Sequence, residues 1–157
     1  MSYISGFDVS ETTTDQQFKL GTLAQDFNGD WYQYIQSDAT GFTAGDVVII
    51  NELNVGDQAT LTASAPGTGQ GLPVGVPTVT FAASEYGWIK RTGTVTNLNV
   101  ATSCAAHTNL NTTATAGRID DDAGAGSEVI NGITTTGAEA ANAAAAILIW
   151  PYVGRTL

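Results

Sequence analysis

Turn signals punctuate this chain between short segments, the pattern of many short strands. Asn28-Gly29, Ala44-Gly45-Asp46, the Gly/Pro/Thr stretch at residues 65–73 and Gly93 separate short segments rich in β-branched and aromatic residues. Thr, Ala and Gly supply 63 of the 157 residues, whereas long amphipathic helices draw on Leu, Glu, Lys and Arg. Many short strands with turns between them predict an all-β fold, a compact single-domain β-barrel or sandwich. The length suits one domain with one modest core.

The expected strands follow in order. Phe18-Lys19-Leu20-Gly21-Thr22-Leu23 alternates, and Asn28-Gly29 turns the chain into the aromatic strand Trp31-Tyr32-Gln33-Tyr34-Ile35. Val47-Val48-Ile49-Ile50 reads as a buried strand. Ala59-Thr60-Leu61-Thr62 reads as a weak strand, and residues 65–73 as a flexible loop poor in anchors. The strand Val74 to Phe81 carries Pro77, which pushes it toward an edge or a bulge. Tyr86 to Val100 reads as a hairpin, two alternating strands with Gly93 in the connection. Short pieces follow at Asn109 to Thr112 and Arg118-Ile119, with longer ones at Val129 to Thr134 and Ile147 to Val153. Alanine-rich residues 138–146 favour helix locally but are too short for a stable one, which predicts a loop or one helical turn.

Residues 1–17 differ from the body at 18–157. Tyr3, Ile4 and Phe7 are isolated apolar residues in a polar setting. They fit either a frayed terminus or an extended N-terminal arm that orders against a neighbouring subunit.

Charge excludes two classes of partner. The formal net charge is −10, and Lys19, Lys90, Arg91, Arg118 and Arg155 are too scattered to hold a phosphate backbone or an anionic membrane surface. The charged fraction of 13% is about half the usual globular value, a composition common in proteins that work within assemblies. The N-terminus shows no secretory pattern, and the run Ala143 to Pro151 is too short to span a bilayer, so the chain is expected to be made in the cytoplasm and to stay soluble.

The residues that could carry chemistry do not assemble into a motif. Asp26, Asn28 and Asp30 have the first spacings of a calcium loop, but Trp31 stands where Gly is needed and Ser37 where the closing acid is needed. Asp120-Asp121-Asp122 is an acidic turn, and a calcium shell would need six or more placed oxygens. Cys104 and His107 are the single cysteine and single histidine, two ligands where structural zinc takes four. No Gly-x-Ser-x-Gly elbow occurs, and Gly67-Thr68-Gly69-Gln70-Gly71 lacks the Lys-Ser/Thr of a phosphate loop. The expectation is a non-enzymatic protein with no catalytic residues, no cofactor and no metal.

The order of segments carries a resemblance. Phe18 to Leu23, Trp31 to Ile35, Thr43 to Ile50, Pro73-Val74-Gly75-Val76, Tyr86-Gly87-Trp88-Ile89 and Ile147-Leu148-Ile149-Trp150-Pro151 together resemble the capsid decoration, or cement, proteins of tailed bacteriophages. The resemblance is one of pattern over most of residues 18–153. It implies a barrel-like body, a homotrimer on the outer capsid surface, and the major capsid protein as partner. It also gives Tyr3, Ile4 and Phe7 a role in an arm along a neighbour. Trp88 and Trp150 are then either core or subunit junction, and Lys90 and Arg91 are candidates to meet acidic groups. The alternatives are a tail or fibre module, or a carbohydrate-binding β-sandwich that stacks sugars on Trp31, Tyr32 and Tyr34.

Overall fold

The computed structural model describes residues 7–155 and is all-β apart from one helical turn. Strands run in the order β1 (Thr12–Thr13), β2 (Leu23–Gln25), β3 (Trp31–Ser37), β4 (Val48–Ile50) and β5 (Val55–Gln58). The helical turn α1 (Leu61–Ser64) precedes β6 (Val74–Pro77), β7 (Tyr86–Lys90) and β8 (Thr92–Asn99). The remainder are β9 (Leu110–Thr112), β10 (Ile119–Asp120), β11 (Val129–Thr135) and β12 (Ala143–Val153).

One sheet has the order β1-β7-β6-β4-β5-β3-β2, and a further pairing of β7 with β3 closes five of its strands into a barrel. The barrel is antiparallel except where β3 meets β5. Its interior holds Ile35, Phe42, Val48, Ile50, Phe81 and Ile89. A five-stranded barrel is narrow, so some inward positions must lack a side chain. At Gly56 a Cβ would come 2.7 Å from Val48 Cγ1, and at Gly75 one would come 2.9 Å from Ile89 Cγ1.

The second sheet, β10-β9-β11-β12-β8, is antiparallel and packs over the outer side of β4 and β6. Between the layers lie Val47, Ile49, Val74 and Val76 from the barrel, with Val95, Leu98, Ile130, Ile133, Leu148 and Val153 from the sheet. A different side of the barrel carries Tyr32, Tyr34 and Trp88, covered by Phe7, Val9, Phe18 and Leu20.

Several expectations give way to longer-range pairing. Tyr86 to Val100 is not a hairpin: β7 stays in the barrel beside β1, β6 and β3, whereas β8 pairs with β12 in the other sheet. Arg91 is the crossing point, and Gly93 (φ +99°) lies within β8, where a Cβ would enter the Asp30 carboxylate. The segment Leu61–Ser64 is helical because Thr60 caps it, its hydroxyl accepting from the Ala63 N–H at 3.0 Å. Residues 65–73 are pinned rather than loose: the Gly71 N–H donates to Val153 O at 2.9 Å, and Leu72 packs on the core.

The alanine run is strand, not loop or helix, from Ala143 onward. Ala141 and Asn142 (φ +56° and +62°) form the tip of a hairpin that joins β11 to β12, and Ala144 and Ala146 are buried between the layers. The Asn28-Gly29 turn does join β2 to β3, and residues 18–22 lead into β2 without pairing as strand.

The described part of the N-terminal segment lies on the barrel of its own chain. The Phe7 ring packs tilted against Trp88 with centroids 4.9 Å apart, Thr12 and Thr13 pair with Gly87 and Tyr86, and the Gln17 N–H donates to the Tyr34 hydroxyl at 3.0 Å. Phe7→Ala should therefore lower barrel stability by about 1–3 kcal/mol. The urea midpoint, followed by tryptophan fluorescence, measures this; an unchanged midpoint would mean that the segment does not cover Trp88 in solution.

Candidate interaction surface

The seven residues singled out from sequence fall in different environments. Tyr3 and Ile4 lie outside the described residues. Phe7 is half-buried against Trp88 and Tyr32. Trp88 is core, enclosed by Phe7, Phe18 and Tyr34.

Lys90 and Arg91 are both enclosed within the chain. Lys90 points to the outer side of the barrel, where Nζ meets Asp30 Oδ2 at 2.6 Å and donates to Thr94 O at 2.8 Å. Burial alone would lower its pKa, but the hydrogen bond to Asp30 and the neighbouring Tyr32 and Asp30 outweigh it, so the pKa is raised. Arg91 follows the inward-facing Ile89. Its Nη1 donates to Gln33 Oε1 and its Nη2 to Pro151 O at 3.5 Å, and Trp150 covers the guanidinium at 5.3 Å. Burial lowers the Arg91 pKa to about 10. Neither cation is presented as a free surface charge.

Trp150 is different. It has φ +47°, an uncommon conformation for a bulky residue, at an irregularity where β12 runs past Gly132 of β11. The bulge breaks the in–out alternation, so Ile149 and Trp150 are both exposed, and Trp150 stands 6.1 Å from Trp31.

Beside Trp150 runs the feature that sequence reading missed. Along β12, Ala144, Ala146, Leu148 and Val153 face the core, which turns Ile147, Ile149 and Tyr152 to the opposite face of the sheet. Val129 joins them from β11, since its neighbour Ile130 is in the core. Ile149 is 68% exposed and Tyr152 47%, on a strand flanked on both sides rather than at an edge. Thr94 opposite Ile147 and Thr92 opposite Ile149 border this stripe on one side, and Thr134 borders it on the other. The signal was present in the alternation of Ala143 to Val153, but the alanines at its start concealed it.

The other clusters are structural. Asp26 Oδ1 accepts from the Asn28 and Asp30 N–H groups at 2.9 and 3.0 Å, so the calcium-like spacing serves the β2–β3 turn. Cys104 meets Asp120 and Asp121, their ligating atoms all within 4.8 Å of one another, while His107 is an exposed turn residue. One soft thiol and two hard carboxylates fall short of both a four-ligand zinc shell and a six-oxygen calcium shell. Burial, reinforced by the Asp121 charge, pushes the thiol pKa up to about 11, which keeps it protonated and a poor nucleophile at neutral pH. No protein-family model matches this chain, and a search of curated proteins finds no match to it.

Two outcomes are expected from these environments. Asp30→Asn leaves the Lys90 ammonium enclosed without its counter-ion and should cost about 1–3 kcal/mol, read as a lower urea midpoint. For Cys104, iodoacetamide should modify the thiol only after unfolding. Stability should also fall as pH rises past about 9, where the unfolded thiol ionises and the folded one does not, until about 11. Cys104→Ala should remove that pH-dependent loss, and rapid labelling of the native protein would contradict the assigned environment.

Proposed function

We propose that this chain is a non-enzymatic capsid decoration protein. It binds the outer surface of a tailed-phage capsid as a homotrimer and braces contacts between major capsid protein subunits. The observation that best supports this reading is the exposed apolar face of β12, an interaction surface on a rigid two-layer body. The segment pattern that resembles decoration proteins supports it as well. Cementing needs little chemistry: many copies each make a modest contact, and avidity across the shell supplies the stabilisation. The net charge of −10 would keep decorated particles apart. Two of the five basic residues, Lys90 and Arg91, are enclosed, which removes them from any phosphate-binding surface.

The sugar-binding alternative is weakened. Of its three platforms, Tyr32 and Tyr34 have buried rings and only Trp31 is partly open. A tail or fibre module would use the same kind of face at another place in the particle, and a gene position beside tail genes would favour it.

Purified chain added to capsids lacking it should saturate at a fixed copy number and raise the temperature at which the shells open. No binding, together with unchanged heat resistance when the protein is removed, would refute the reading.

A further inference from the structure

We infer that the outer face of β12 is where one copy of this chain meets another. The inference rests on the proposal that the chain works as an assembled shell component, and it adds which surface joins the copies. The fold itself does not need an apolar stripe there, because the opposite face of the same strand already supplies the core residues. Ile147, Ile149 and Tyr152 are therefore surplus to folding, as is Val129 beside them.

Charge selects the occupant. The strands Thr92–Asn99, Val129–Thr135 and Ala143–Val153 contain no Asp, Glu, Lys, Arg or His, in a chain that carries fifteen acids against five bases. A basic partner would be drawn to the acidic surfaces and would gain nothing from a charge-free one. A second copy, equally acidic, is repelled wherever acids face acids and approaches at least electrostatic cost across strands that carry no charge. The β8 threonines opposite the stripe, Thr92 beside Ile149 and Thr94 beside Ile147, form a neutral hydrogen-bonding border along it.

Full-length protein, without capsids, is the material for the test. Sedimentation and light scattering should show a self-associated species for the native chain. Ile149→Asp should weaken association at least about tenfold, because it places a desolvated carboxylate at the centre of the face. Thr94→Asp, on the border and fully outside the core, should act in the same direction and guards against misfolding of the first variant; circular dichroism checks both folds. A native chain that remains monomeric overturns the inference, as does an assembly that both variants leave intact. A monomer that still binds capsids would refute this interface and the homotrimer while leaving capsid decoration itself standing. Self-association through this face without capsid binding would do the reverse.

Discussion

The whole structure depends on one wall with two buried faces. In Val47-Val48-Ile49-Ile50, Val48 and Ile50 fill the barrel while Val47 and Ile49 fill the layer beneath the second sheet. β6 repeats the arrangement more sparingly, with Val74 and Val76 outward and Gly75 inward against Ile89. Each such side chain taken from water stabilises the fold by about 1.5–3 kcal/mol. Neither layer can lose this wall without losing its own core, so barrel and sheet form one domain. Asp46, at the start of the wall, adds a polar tie. Its carboxylate accepts from Gln58 on the barrel side at 2.7 Å and from Asn99 of β8 at 2.8 Å.

The second junction is less apolar and more strained. At Arg91 the chain leaves the barrel for the sheet, its N–H donating to Trp31 O and its carbonyl accepting from the Trp150 N–H. The guanidinium occupies the space between Gln33 and Pro151 beneath the Trp150 ring. A buried cation and a tryptophan with positive φ both carry a cost, and they persist because the surrounding strands over-determine them. Trp150 is thereby fixed by the same crossing that joins the layers, and its position beside the exposed stripe is not left to side-chain freedom.

Sequence patterns revealed what is local or doubly buried. The run at Val47 to Ile50 and the Asn28-Gly29 turn were legible because a continuous β-branched run and a glycine turn each have one cheap solution. The partner choices of β7 and β8 were not, because alternation specifies a strand but not the sheet it joins. Residues 143–146 show the same limit. Alanine's helix propensity is worth a few tenths of a kcal/mol per residue, less than burying Ala144 and Ala146 in a ladder between β8 and β11. Of the candidate surface, Trp150 was legible as an aromatic at a late strand; Ile147, Ile149 and Tyr152 required the register that turns them outward.

The position of the N-terminal segment bears on where binding energy can come from. An arm that orders on a partner must offset the entropy of ordering its backbone, roughly 1–2 kcal/mol per residue. Residues 7–17 already make that commitment within their own chain, with Phe7 on Trp88 and β1 on β7. Their apolar groups are spent on the barrel and add little to an external contact. A face held by a five-stranded sheet over a packed core has no such cost: Ile147 projects from a backbone paired with both β8 and β11, Ile149 from one paired with β8, and Tyr152 from one paired with β11 and bridged to Pro73. If the chain decorates a shell as proposed, making the same contact many times on one particle, a preorganised apolar face is a more economical source of association than a terminal arm.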